Sequence, residues 1–373
     1  MKSSFKLGEI FGIPVRLHYT WFFIFVLITA QLVAYLPTPE PYIFWQRMVL
    51  GIVASLLLFI SIIAHELAHS LVAVKNDIPV KDITLFVFGG VSQLTKEASR
   101  PTTEILIAII GPLASILIAG IFQGIHLLLI EANELLATIA QWLAFINALM
   151  AMFNLIPGFP LDGGRVFRAI TWLSTGNYMQ ATRIATLSGR MIGYVFIAGG
   201  IIFMFITHEW ISGLWLAFIG WFLETAAITS YRQALLHDAL QNSTVRDIMT
   251  EDYPVASREL SLEHLVQDYI LPTRRQCFMV ATEGNLEGII TLHNIKKVSS
   301  ERWNSTSVGD VMVPSDKLKI AYPDQDASSL LDQMEDSNIS EVPVVEGKKL
   351  IGMVARDSLT RLLRIRAELG MSK

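Results

Sequence analysis

The chain almost lacks cysteine: Cys277 is the single one in 373 residues, which excludes an intrachain disulfide and any thiolate-rich metal cluster. A metal, if held, must be held by imidazole and carboxylate. Charge is also scarce, at 17% of residues. The net charge of −4 is spread without a basic or acidic block, so no nucleic-acid or polyanion partner is expected. The segment 1–16 is short and polar, carrying Lys2, Lys6 and Arg16. It has no small-residue cleavage site behind a short apolar core, so the first apolar segment is expected to be a retained span.

Apolar sequence is what the chain has in excess. Hydrophobic residues make up 52% and the mean hydropathy is +0.48, too apolar for a soluble globule. Crossing a hydrocarbon core of about 30 Å takes about 20 helical residues. Six stretches qualify, at about 17–36, 49–74, 104–130, 137–157, 184–207 and 211–230. Positive residues are retained on the cytoplasmic side. Lys2, Lys6 and Arg16 precede the first stretch, Lys75, Lys81, Lys96 and Arg100 follow the second, and Arg165, Arg168, Arg183 and Arg190 follow the fourth. The alternate connections carry only Arg47. Both termini are therefore expected in the cytoplasm, in a multi-pass protein of the plasma or inner cell membrane.

From about residue 241 the sequence turns soluble in character and repeats at an offset of roughly 63 residues, a period that marks duplicated structural units. Val245, Asp247 and Met249 return as Val308, Asp310 and Met312; Gly288 and Ile290 return as Gly352 and Val354. Each unit reads as a strand, a helix, two short apolar strands and a closing helix.

His65, Glu66 and His69 form an H-E-x-x-H pattern in the second stretch. On a helix, residues four apart share a face, so two imidazoles can hold one cation while Glu66 reaches a water on it. Intramembrane ionisable residues also build proton paths and ion sites, and the trio is open to that reading. A purely structural role is not expected, because burying such groups without partners is costly. Catalytic zinc takes three protein ligands and leaves a fourth position for water. Asp162, at the end of the fourth stretch, is the candidate third ligand. The charge-based orientation runs the second and fourth stretches in the same direction, which brings Asp162 to the depth of the imidazoles. In isolation Asp162 reads as a cap or turn residue before Gly163 and Gly164.

The segment 82–94 alternates like a strand around a glycine pair. Non-helical backbone at membrane depth survives only where protein or a watery cavity satisfies it. Phe88, Gly89, Gly90 and Val91 either offer an edge to an extended substrate peptide or form a hairpin that plugs the mouth of the site.

The H-E-x-x-H pattern, taken with Asn154, Pro157, Pro160, Leu161, Asp162, Gly163, Gly164 and Arg165, resembles the site-2 protease family of intramembrane metalloproteases. The duplicated half resembles tandem CBS domains, a Bateman module, as in the sporulation factor processing subgroup of that family. The resemblance implies one Zn2+ per chain on His65, His69 and Asp162, Glu66 as catalytic base, and Asn154 binding the substrate backbone or the oxyanion. It implies a single-span membrane protein as substrate, cut within the lipid bilayer. Gly111 and Pro112 match the family's GP-containing helix, with Ser115 where many relatives have Asn. CBS pairs bind adenosine-containing ligands such as ATP or AMP through a G-h-x-T/S-x-x-D/N pattern. Gly288, Thr291 and Asn294 satisfy it, whereas the second repeat has Ala355 and Ser358 at the polar positions, which implies one nucleotide site. The alternative is a structural module through which the chain forms a homodimer.

The expected fold is all-α in the membrane, with six transmembrane helices and a short membrane-associated β-hairpin over residues 1–235. A linker at 236–243 leads to a cytoplasmic α/β tandem CBS module with units 244–300 and 307–365. The expected activity is that of a zinc metalloendopeptidase. The competing class is a CBS-regulated ion transporter, which needs a polar path that the first, fifth and sixth stretches, poor in ionisable residues, do not offer.

Overall fold

Backbone polar groups in lipid must be satisfied within the segment that carries them, so long apolar runs become helices. The computed structural model describes residues 4–35, 44–87, 89–94, 96–240, 243–337 and 339–356. Phe88, one of the expected substrate contacts, and residues 357–365 of the second repeat lie outside them. Two compact units divide the chain, Met1–Ala234 and Leu235–Lys373.

The first unit opens with strands β1 (Ser4–Ile10) and β2 (Ile13–His18), then α1 (Thr20–Tyr35) and α2 (Phe44–Lys75). Strands β3 (Val80–Phe86) and β4 (Gly89–Leu94) follow, then α3 (Pro101–Leu129), α4 (Glu134–Asn154), α5 (Asp162–Thr175), α6 (Tyr178–Thr207) and α7 (Trp210–Leu240). Among the described residues five helices are long and apolar enough to cross a membrane: α2, α3, α4, α6, and α7 as far as Leu236. The first stretch yields only a shorter apolar helix, Thr20–Ala34, because β2 takes Leu17 and His18.

The strands form one sheet in the order β1-β2-β3-β4, so the unit is not all-α with a lone hairpin. β2 and β3 pair in parallel, with Val15 opposite Ile83 and Leu17 opposite Leu85. Along β2 Ile13, Val15 and Leu17 are buried while Pro14, Arg16 and His18 are half-buried, a period of two inside a segment that reads as polar by composition.

In lipid there is no hydrophobic drive between helices, and small side chains that let backbones approach decide the packing. On α3 the buried positions Glu104, Ile107, Ala108, Gly111, Ser115 and Ala119 recur at three- and four-residue steps, forming one face. α4 presents Ala137, Ala140, Ala144, Asn147 and Ala151 among its buried residues. The ends are capped locally: Asn133 accepts from the Leu136 amide at 3.1 Å to start α4, and Asn177 accepts from the Gln180 amide at 2.9 Å to start α6.

In the second unit β6 (Cys277–Thr282) and β7 (Asn285–Thr291) form one hairpin, and β9 (Glu341–Glu346) and β10 (Lys349–Ala355) form the other. With β5 (Val255–Ala256) and β8 (Val313–Pro314) they make one six-stranded sheet. β6 is buried on both sides: Phe278 and Val280 enter one core, Cys277 and Met279 another that also holds Val345, Leu350 and Met353. The opening segments are exchanged. Val245 and Ile248 pack with Leu330, Val342 and Val344 of the second repeat, and Val308 packs with Phe278, Val280 and Ile290 of the first.

Candidate metal centre

His65 and His69 project from one face of α2 and are each 3% exposed. Asp162 is the first residue of α5. The fold brings the three together: Nε2 of His65 and of His69 lie 3.3 and 3.2 Å from Oδ2 of Asp162, and 3.2 Å from each other.

The far side of each ring is fixed by α3. Nδ1 of His69 donates to the Ile107 carbonyl at 2.5 Å, and Nδ1 of His65 lies 2.8 Å from the Ser115 hydroxyl. A proton on Nδ1 turns the Nε2 lone pair toward Asp162. Two lone pairs and a carboxylate oxygen then face one another in a buried space, which requires positive charge at their centre, from protons or from a divalent cation. Burial works to raise the Asp162 carboxyl, but where the two facing imidazoles carry protons on Nε2 their hydrogen bonds and positive charge outweigh it and hold the carboxyl well below the ordinary carboxylate range. The donor set, two imidazoles and one carboxylate, is one that zinc takes in catalytic sites. Tetrahedral ligands at about 2.0–2.1 Å stand roughly 3.3–3.4 Å apart, close to the 3.2–3.3 Å between these atoms.

Gly111 makes the cluster sterically possible. A Cβ there would meet His69 Nε2 at 2.1 Å and His65 Nε2 at 2.8 Å. The Gly163 position is as tight, with a Cβ meeting the Leu155 carbonyl oxygen at 2.2 Å, so α5 can start only with glycine after Asp162.

Glu66 is not among the converging atoms. Its Oε2 accepts from the Ser92 amide of β4 at 3.1 Å, which ties the carboxylate to the strand. Nδ2 of Asn154 approaches Nε2 of His65 at 3.5 Å. A cavity of about 840 Å³ is lined by His65, Glu66, His69, Asn154 and Asp162, and by Gly89 to Ser92 of β4.

Matches to protein families cover both units. Peptidase family M50 matches residues 53–131 and 129–200, and the CBS domain matches residues 245–301 and 308–365. "Putative zinc metalloprotease Rip3" of Mycobacterium tuberculosis is 33% identical over 98% of this chain and 94% of its own. The chain belongs to peptidase family M50. Zinc metalloprotease MJ0392 of Methanocaldococcus jannaschii, 31% identical, aligns over 98% of this M50 chain and 97% of its own length. Among solved structures the site-2 protease from Methanocaldococcus jannaschii is 29% identical with a TM-score of 0.44, covering 61% of this chain and 94% of that one. This M50 member is a multi-pass membrane protein that carries tandem CBS domains.

Three elements of the M50 site escape a reading by motif. Ser115 and the Ile107 carbonyl orient the imidazoles, and only the former had a signal, its place four residues after Gly111. Arg168 and Glu104 are the third: Arg168 Nε donates to Glu104 Oε1 at 2.7 Å, tying α5 to α3. An acid in an apolar helix is the signal that finds it.

In the CBS unit Thr291 and Asn294 face each other. Asn294 Oδ1 accepts from the Thr291 amide at 3.2 Å and from its hydroxyl at 2.6 Å, capping the helix Leu292–Ile295.

Proposed function

We propose that the chain is a zinc-dependent intramembrane endopeptidase that cuts single-span membrane proteins within the bilayer. One observation carries the reading: two imidazole nitrogens and a carboxylate oxygen from α2 and α5 converge within 3.3 Å on a cavity that Glu66 also lines. His65, His69 and Asp162 would hold the zinc. When bound, zinc supplies Lewis acidity, which makes water acidic near neutral pH and polarises a peptide carbonyl.

The chain's own groups do the rest. Glu66 takes the proton from the attacking water and returns it to the departing amine. Asn154 donates from Nδ2 to the carbonyl oxygen as it gains charge. Among the described residues β4 ends the sheet, and its outer edge takes an unwound substrate segment by strand addition at Gly89, Gly90 and Val91. A substrate helix must open before its carbonyls are available, so segments with helix-weakening residues near the cut are preferred. The termini are cytoplasmic. The CBS pair binds one ATP or AMP through Thr291 and Asn294, adjusts proteolysis, and pairs two chains.

The test is coexpression with candidate single-span proteins. Glu66→Gln keeps its zinc and loses cleavage by about 10²–10⁴-fold or more. Undiminished cleavage by that variant removes Glu66 from the chemistry, and a wild-type protein that retains no zinc removes the reading.

A further inference from the structure

The four-stranded sheet has one face packed on the helices. Ile13, Val15 and Leu17 of β2 and Ile83 and Leu85 of β3 are buried, and Leu17 and Leu85 pack with Trp21 of α1 and Phe59 of α2. The register carries β1 onto that same face, since Phe5 stands opposite Leu17 and Ile10 opposite Ile13, and residues opposite each other project to the same side. β1 thus extends the helix-packed face outward, and there Phe5 is exposed by 46% and Ile10 by 36%, while Leu7 at the bulge and Phe11 in the turn are exposed beside them by 63% and 78%. Leu7 sits where the register steps from Lys6 to Gly8. The opposite face of the strand is polar, with Lys6 across from Arg16 and ion-paired to Glu9.

A large apolar patch on a strand at the sheet edge would be an aggregation site in water. Its surroundings are not water-like. The Phe5 ring stacks on Phe22, centroids 5.8 Å apart, and Phe22 with Tyr19 and Phe23 forms the exposed apolar surface where α1 begins. The patch is continuous with the surface of a membrane-spanning unit.

We propose that the β1–β2 hairpin is an interfacial membrane anchor: Phe5, Leu7, Ile10 and Phe11 lie among lipid at the headgroup–acyl boundary, and Lys6 and Glu9 face the water. The occupant of this face is bilayer lipid. Aromatic side chains collect at that boundary, and amphipathic surfaces bury their apolar face about 5–10 Å into it. β1 and β4 are the two edges of one sheet, so an immersed β1 also fixes the depth of the strand beside Glu66. That consequence rests on the proteolytic reading, whereas the immersion does not.

Nitroxide labels on Leu7→Cys, Phe11→Cys and Glu9→Cys, with the full chain in phosphatidylcholine–phosphatidylglycerol liposomes, test the proposal by electron paramagnetic resonance. Cys277 stays unlabelled because it is buried and burial pushes its thiol pKa up. Labels at positions 7 and 11 should collide several-fold more with dissolved oxygen than with a water-soluble nickel chelate, and the label at position 9 the reverse. Nickel-dominated collisions at 7 and 11 overturn the anchor. So does exclusion of both reagents, which would mean that a second copy or another part of the chain covers the face. A photoreactive benzophenone residue in place of Phe11 reads the same question without a nitroxide: crosslinks to lipid support the anchor, and crosslinks to protein alone overturn it.

Discussion

Arg168 of α5 and Glu104 of α3 form an ion pair almost sealed from solvent, 7% and 1% exposed, with Nε donating to Oε1 at 2.7 Å. The guanidinium carbon lies 4.8 Å from the ring centroids of Phe159 and Tyr178, and Nη1 donates to the Tyr178 hydroxyl at 2.6 Å. Asp162 opens the helix that Arg168 holds. One face of α3 therefore bears on the whole candidate site: it holds His69 through the Ile107 carbonyl and His65 through Ser115, and it anchors α5, the helix that Asp162 opens, through the Glu104–Arg168 pair.

Removing one partner leaves a buried charge alone. Arg168→Met and Glu104→Gln are each expected to destabilise the protein by about 3–5 kcal/mol and to lower zinc content, read by thermal unfolding in detergent and by metal analysis. Replacing both by Met restores most of the stability, since an apolar pair of similar volume avoids the desolvation cost. Single variants that unfold at the wild-type temperature would show the pair to be idle.

Gly111→Ala forces a methyl group against both imidazoles, and zinc retention is expected to be lost. Gly120→Ala on the same helix meets nothing within 4 Å and should bind zinc as the wild type does. Equal zinc content in the two variants would contradict the packing described for α3.

Ser115→Ala removes the partner of His65 Nδ1. Loss of such an orienting hydrogen bond costs about 10–100-fold in metal affinity, measurable by competition with a chelator. Ser115→Asn should recover most of it, because the amide can also bond Nδ1. Equal affinity in all three proteins would mean that the ring is held by packing alone.

Thr291→Ala and Asn294→Ala each break the cap at the start of the helix Leu292–Ile295 and remove a candidate ribose contact. Calorimetry on the full chain is expected to find one ATP or AMP bound per wild-type chain and none in either variant. No binding to the wild type at millimolar nucleotide would leave the CBS pair a structural module.

Much of this was legible in the residues themselves. His65, Glu66 and His69 share one turn of one helix, so their relation is set by local geometry, as are the apolar runs that become α2, α3, α4, α6 and α7. The duplication at Val245 and Val308 announces two similar units for the same reason. Sequence alone could not show that Val245 packs in the core of the second repeat and Val308 in that of the first. Nor could it show the sheet. The alternation of Ile13, Val15 and Leu17 is short and lies beside charges that dominate its composition, and the pairing of β2 with β3 joins residues 15 and 83 across two helices. The meeting of Asp162 with the imidazoles, and the service of Ile107, Ser115 and Glu104 behind them, belong to the tertiary structure. They depend on how α3 packs between distant segments, and a contact across dozens of residues leaves no local periodicity to read.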